Sequence, residues 1–282
     1  MSAATAGRIA TQSELAQARS LYLDLLRRSL VNIIYPEADA SMAMGSTPAE
    51  WVRKKLAALF GCRLVRPLDP ACRQDGRDWP LFAHSMIGMA RLSNLQSCVE
   101  SVIRDNVPGD VIETGVWRGG ACVLMRGVLK AYGATDRRVW VADSFAGLPR
   151  PTEEADKRDP AGKLHSCSEL AVSLEQVKTT FSRYGLLDEQ VVFLKGWFSE
   201  TLPNAPIERL AVARLDGDMY ESTLDALRAL YPKLCVGGYL IIDDYSDISA
   251  CRQAVEDYRG CHGITEPIIP IDWSGVYWRR QR

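Results

Sequence analysis

Five carboxylates stand where apolar runs break off in this 282-residue chain: Glu113 in VIETGVWRGG, Asp143 in VADSFAGLP, Asp216 in RLDGDMY, and the pair Asp243-Asp244 in YLIIDDY. A buried strand that ends in an acid presents it beyond its carboxyl end, where open parallel sheets bind ligands. The turn after Glu113 narrows the choice of ligand. Gly115 allows a tight turn with close backbone approach, and Gly119 and Gly120 open a helix whose N-terminal amides favour an anion or a carboxylate. A dinucleotide fingerprint needs a second glycine where Trp117 stands, so the turn speaks against NAD. Glu113 would repel phosphates and attract a cation such as an ammonium. Asp143, ending the next strand, is placed to accept hydrogen bonds from both hydroxyls of a ribose. An ammonium and a ribose without phosphates describe S-adenosylmethionine as the cofactor.

The other three acids suggest a metal. If the strands ending at Asp216 and Asp243 are neighbours, Asp216, Asp243 and Asp244 converge, and like charges that close are costly unless a cation sits between them. An all-oxygen donor set without histidine or cysteine favours Mg²⁺ over Zn²⁺. Asp218 is either a partner behind these ligands or the residue that holds the turn before the next helix. The competing reading of Asp243-Asp244 is a helix cap. Methyl transfer from a sulfonium to oxygen needs an aligned hydroxyl that loses its proton, and a metal would assist both. Asp216 is thus a candidate for ligand and for base.

Elements of two textures must position these groups. Apolar positions recur at helical spacing from Ser13 to Leu30, and Thr47-Pro48-Ala49-Glu50 reads as a capping box that opens a helix over 48–60. A helical pattern also runs through 84–106. From Pro108 onward, candidate strands at 110–114, 138–142, 190–194, 209–215, 238–243, 266–271 and 275–279 alternate with helices near 119–132, 169–184, 221–234 and 247–258. That alternation predicts a mainly parallel sheet covered on both faces, and the short turn between the last two strands makes one of them antiparallel. Residues 1–107 read as a helical lid and cap segment, and 108–282 as the core of one continuous unit. In the loop after the first helix, Tyr35 and Glu37 are candidates for a lid closing on the substrate. The polar stretch 151–170, which holds His165, reads as a loop on the substrate side.

With 34 basic and 35 acidic residues, the net charge of −1 offers no field that would draw the chain to nucleic acid or an anionic membrane. A small neutral partner is the better expectation. The first residues carry no apolar h-region and no run of about 18 apolar residues follows, which gives a cytoplasmic expectation. Eight cysteines without a CxxC or zinc-ligand spacing read as reduced thiols. The apolar faces of the first two helices suggest a homo-oligomer.

Several stretches together resemble the macrocin O-methyltransferase family of class I methyltransferases, which act on sugar hydroxyls of antibiotics. They are IYPEAD (34–39), HSMIGMARLSNLQ (84–96), VIETGVWRGGAC, VADSFAGLP, LKGWFSETLP (194–203), LDGDMYESTLDAL (215–227), YPKLCVGGYLIIDDY (231–245) and IDWSGVYWRR (271–280), in the family's order. The resemblance implies a Rossmann-like α/β core, a seven-stranded mostly parallel sheet with an antiparallel last strand, plus an N-terminal helical lid. It also implies Mg²⁺ dependence and a glycosidic small-molecule acceptor. By position, Glu113 and the turn through Gly115, Trp117 and Gly119 resemble the loop that binds the cofactor's methionine end. Asp143 resembles the ribose acid, with Ser144 and Phe145 beside it; Trp197 would border the adenine, and Met86 and Ile87 would reach over the cofactor. Two other functions compete: methylation of a phenol or catechol, and S-adenosylmethionine binding without catalysis. A lysine just after the first metal aspartate would favour the former, and DGDMYES has none. The intact acids argue against the latter. VRPLDPACRQDGRDWP (65–80) departs from the family's pattern and is placed to shape the substrate mouth.

Overall fold

The computed structural model describes residues 11–45, 47–150 and 164–282, so most of the polar stretch read as a substrate-side loop, 151–163, lies outside the described residues. Among the described residues, helices α1 (Gln12–Leu30), α2 (Pro48–Leu59), α3 (Pro70–Gln74) and α4 (Gly88–Arg104) precede the main sheet, with strands β1 (Ala40–Met42) and β2 (Val65–Pro67) between them. There follow β3 (Asp110–Thr114), α5 (Gly120–Tyr132), β4 (Val139–Asp143), α6 (Leu174–Arg183), β5 (Val191–Lys195), α7 (Phe198–Thr201), β6 (Leu210–Leu215), α8 (Tyr220–Leu230), β7 (Leu234–Ile242), α9 (Ser249–His262), β8 (Ile269–Pro270) and β9 (Val276–Arg279). The seven-stranded sheet has the order β5-β4-β3-β6-β7-β9-β8. Strands β3 to β7 are parallel, and β9 runs antiparallel to both β7 and β8.

Alternation along the strands builds two apolar layers. Val111, Val141, Val212 and Ile241 face α4, α5 and α6. Ile112, Trp140, Ala213 and Leu240 face α7, α8 and α9. Helix α1 packs its Leu23, Leu26 and Leu30 on the outside of α4 and α5, as a second helical layer. Helix α4 touches β6 and β7, so the helical cover of the sheet begins before residue 108. All eight cysteines are free thiols. No helix among the described residues is long and apolar enough to cross a membrane.

Three sequence expectations shift. The helix expected over 169–184 starts at Leu174, where Ser173 and Gln176 form a reciprocal capping box. The pattern read as helix from residue 84 enters helix only at Gly88, because 84–87 is used as a loop laid on the start of α5. The strand expected over 266–271 is reduced to the two residues of β8.

Candidate active site

Strand order reverses around β3, whose neighbours are β4 on one side and β6 on the other. The carboxyl ends of β3, β4, β6 and β7 therefore open onto one cavity of about 490 Å³. Its walls include Glu113, Gly115, Trp117, Asp143, Ser144 and Trp197, together with Met86, Asp216, Asp243 and Asp244. Sequence reasoning thus placed most of its site residues on one cavity. Tyr35 and Glu37 are not among them: both are exposed, Tyr35 just before and Glu37 within the short turn Pro36–Ala38, and the structure does not bring them to this cavity.

The turn after β3 is built by close packing. Gly115 has φ +79°, and a Cβ there would lie 1.8 Å from the carbonyl oxygen of Asp216. No other residue fits. Trp117 also has a positive φ, at 46°, held by its indole N–H donating to the Glu169 carbonyl at 2.9 Å and by the Arg118 guanidinium 4.1 Å over its ring. Gly119 is the left-handed N-cap of α5; it does not line the cavity, since its α-carbon faces Val177. The backbone N–H of Gly120 donates to the His84 carbonyl at 3.1 Å, which lays segment 84–87, with Met86, over the turn.

Asp143 organises the neighbouring turn. Its Oδ2 accepts the Val116 N–H at 2.8 Å and its Oδ1 the Phe145 N–H at 2.7 Å. Burial pushes its carboxyl up, and these amides oppose the shift. The Ser144 hydroxyl also lies 3.5 Å from Oδ1; a carboxylate has about four lone-pair sites, so it retains capacity for a ligand hydroxyl. Ser144 lines the cavity with its hydroxyl donating to the Gly147 carbonyl at 2.6 Å. Phe145 points away into the core, 6.5 Å from the Phe193 ring.

Glu113 differs from the free carboxylate expected for an ammonium. It is buried, with Oε1 paired to Arg214 and Oε2 accepting the Cys122 thiol at 2.9 Å. Burial pushes its carboxyl up to about 7 despite the guanidinium. Arg214, 1% exposed, also donates to Asp216 Oδ2 at 2.9 Å and pairs with Asp243. The second oxygen of Asp243 pairs with Arg91 at 2.5 Å, and Arg91 reaches Asp272 at 3.0 Å. Arg214 and Arg91 went unnoticed in the sequence, although an arginine inside the apolar run RLAVARL is itself a signal.

Strands β6 and β7 are neighbours, as the convergence of acids required. The carboxylates brought together are nevertheless Asp216, Asp218 and Asp244, with one oxygen from each within 4.8 Å of the others. Asp218 stands in this group and Asp243 does not, because both of its oxygens are taken by arginines. Burial raises Asp216 to about 6 and Asp218 to about 8, and it raises Asp244 well above the usual range; neighbouring carboxylates add to each shift. Asp244 Oδ2 is buried without a hydrogen-bond partner. A hard divalent cation fits such a group: it would neutralise the clustered charge and satisfy the orphaned oxygen.

Comparison with known proteins agrees with this geometry. The family model described as macrocin-O-methyltransferase (TylF) matches residues 19–280. The chain is 53% identical over 263 residues to the mycinamicin III 3''-O-methyltransferase of Micromonospora griseorubida, covering 92% of this chain and 96% of that protein. It is likewise 53% identical over 263 residues to the 8-demethyl-8-(2,3-dimethoxy-alpha-L-rhamnosyl)-tetracenomycin-C 4'-O-methyltransferase of Streptomyces olivaceus, covering 93% of each. Among solved structures, the O-methyltransferase NovP matches with a TM-score of 0.83 at 49% identity, over 94% of this chain and 100% of that one. With the class I fold, the cavity at the strand ends and these matches in place, the chain belongs to the macrocin-O-methyltransferase family and is an O-methyltransferase.

Proposed function

We propose that this chain transfers the methyl group of S-adenosylmethionine to a sugar hydroxyl of a glycosylated natural product, with Mg²⁺ held at the acid cluster. The observation that carries the reading is that one cavity is lined both by the Asp143 and Gly115 turns and by three clustered carboxylates. The relatives named for mycinamicin III and for a rhamnosyl tetracenomycin support a glycosidic acceptor.

The cofactor supplies a methyl already activated on a sulfonium. The metal would polarise the acceptor hydroxyl and lower its pKa. This chain's residues do the rest. Asp143 accepts the ribose hydroxyls, the Gly115 turn admits close backbone approach, and Trp117, Trp197 and Met86 wall the donor end. At Glu113 the cofactor's ammonium would have to share a carboxylate already compensated by Arg214. Asp216 and Asp244 supply metal oxygens, with Asp218 beside them; Asp243 would join only by releasing an arginine. Asp216 has Oδ2 held by Arg214, which leaves Oδ1 for a ligand or the acceptor's proton.

Titration calorimetry with S-adenosylmethionine tests the donor site. The native protein binds, and Asp143→Ala weakens binding about 100-fold through loss of two charge-assisted hydrogen bonds. A native protein that does not bind would overturn the reading.

The chain assembles in the cytoplasm as a homo-oligomer. Helix α2 and the residue after it expose Trp51, Val52, Leu56, Leu59 and Phe60, the last two at 79% and 81%, an apolar strip of the kind that marks interfaces. Light scattering after size exclusion is expected to give a multiple of the 31.3 kDa chain mass, reduced by Phe60→Asp. A monomer at micromolar concentration would refute the assembly.

A further inference from the structure

Residues 65–80, read in the sequence as a departure from the family's pattern, lie inside the segment the family model matches, and Gly76, Arg77, Asp78 and Trp79 of this stretch line the cavity. Arg73, 1% exposed, anchors the stretch by pairing with Asp39 at 2.6 Å and Asp78 at 2.9 Å and by donating to the Val31 carbonyl at 3.2 Å. Gly76, at φ +67°, lies so close to the start of α4 that a Cβ would be 2.6 Å from the carbonyl carbon of Ile87. Trp273 donates its indole N–H to the Asp75 carbonyl at 2.8 Å. Arg91, already paired with Asp243 at the end of β7, donates to the Gly76 carbonyl at 3.4 Å. These tethers hold the turn 76–79 in fixed register with the carboxylates at the strand ends.

On that turn Arg77 lines the cavity. Its guanidinium lies 4.3 Å over the Trp273 ring, and no carboxylate pairs with it among the described residues, although acids crowd the cavity nearby. An exposed arginine without a carboxylate partner but held over an indole has its donors partly oriented in advance, which lowers the entropic cost to a ligand. A guanidinium alone would take a carboxylate or phosphate, but the acids lining this cavity repel an anion, which leaves neutral acceptors such as the hydroxyl and ether oxygens of a sugar.

We propose that Arg77 determines acceptor specificity: stacked on Trp273, it donates hydrogen bonds to an oxygen of the acceptor sugar beside the hydroxyl that receives the methyl group. This assignment rests on the glycoside reading above. Its test is steady-state kinetics with S-adenosylmethionine and Mg²⁺ on mycinamicin III and on 8-demethyl-8-(2,3-dimethoxy-alpha-L-rhamnosyl)-tetracenomycin C, for the native chain, Arg77→Ala and Arg77→Lys. Arg77→Ala is expected to raise the acceptor KM about tenfold or more while kcat and the calorimetric affinity for S-adenosylmethionine stay within about twofold. Arg77→Lys recovers part of the loss, since an ammonium donates but does not stack as a planar fork. Native turnover with an acceptor KM that Arg77→Ala leaves unchanged overturns the assignment alone. So does a parallel loss of S-adenosylmethionine affinity, which would make Arg77 a structural residue. Absence of native turnover on both glycosides removes the acceptor class and this assignment with it.

Discussion

Asp244→Asn is expected to leave a folded protein that still binds S-adenosylmethionine but transfers methyl groups about 100- to 1,000-fold more slowly. The substitution keeps the shape of the side chain and takes away one charge. In the metal-free protein that charge is a liability, because Asp216 and Asp218 each bring an oxygen within 4.8 Å and Asp244 Oδ2 has no partner. An amide N–H₂ in its place donates to the neighbouring carboxylates, so the metal-free variant melts no lower than the native chain. The loss shows when metal is added. Mg²⁺ at a hundred times its dissociation constant, bound only to the native state, adds about 2.7 kcal/mol of stability, several degrees of melting temperature. The native chain should show that rise and lose it with chelator, and Asp244→Asn should not show it. A native melting curve indifferent to both Mg²⁺ and chelator would remove the metal from the mechanism. A variant that keeps the rise would shift the ligand role to Asp218 and Asp243, whose own asparagine variants then separate them.

What the sequence made legible follows from how locally each feature is determined. Strand β3 lies where the run DVIET placed it, because the β-branched pair Val111-Ile112, buried on both faces of the sheet, sits between the turn residues Pro108-Gly109 and Gly115. The start of α2 was equally legible: Pro48 follows Thr47, whose hydroxyl accepts the Glu50 N–H at 3.2 Å. Only half of the expected capping box forms there, since the Glu50 carboxylate turns to Arg66, a partner sixteen residues away that local spacing does not reveal. The site residues that sequence reasoning missed share that character. Arg214 meets Glu113 across 101 residues and Arg91 meets Asp243 across 152, contacts fixed by strand register and helix placement. The expectation for Asp243 rests on its place with Asp244 at the end of a strand beside the one that ends at Asp216. Successive strand-end residues point to opposite sides, so only one of the pair faces the cluster while the other meets the arginines. Strands β1 and β2 were invisible for the same reason: three residues each carry too little pattern, and they exist through their antiparallel pairing with one another.

The largest loss of stability is expected from Arg214→Met. Glu113 and Arg214 stand opposite each other in the β3–β6 register, and both are buried. One guanidinium there compensates three carboxylates, those of Glu113, Asp216 and Asp243. Methionine fills a similar volume and makes good apolar contacts, so packing is largely conserved and the change isolates the electrostatics. Removing one partner of a buried ion pair costs about 3–5 kcal/mol, because the abandoned charge stays out of water. Glu113 and Asp216 lose their arginine and Asp243 keeps only Arg91, so the upper part of that range applies, against a total stability of about 5–15 kcal/mol for a typical protein. Thermal unfolding should therefore fall by about 10 °C or more. Adding Glu113→Gln to Arg214→Met should recover part of the loss, since the amide removes one uncompensated charge and can still accept from the Cys122 thiol. A single variant that melts within about 2 °C of the native chain would show that these acids carry no net charge in the folded protein. The arginine would then be an ornament of the strand, and the cluster would owe its arrangement to the backbone turns at Gly115 and Asp143 alone.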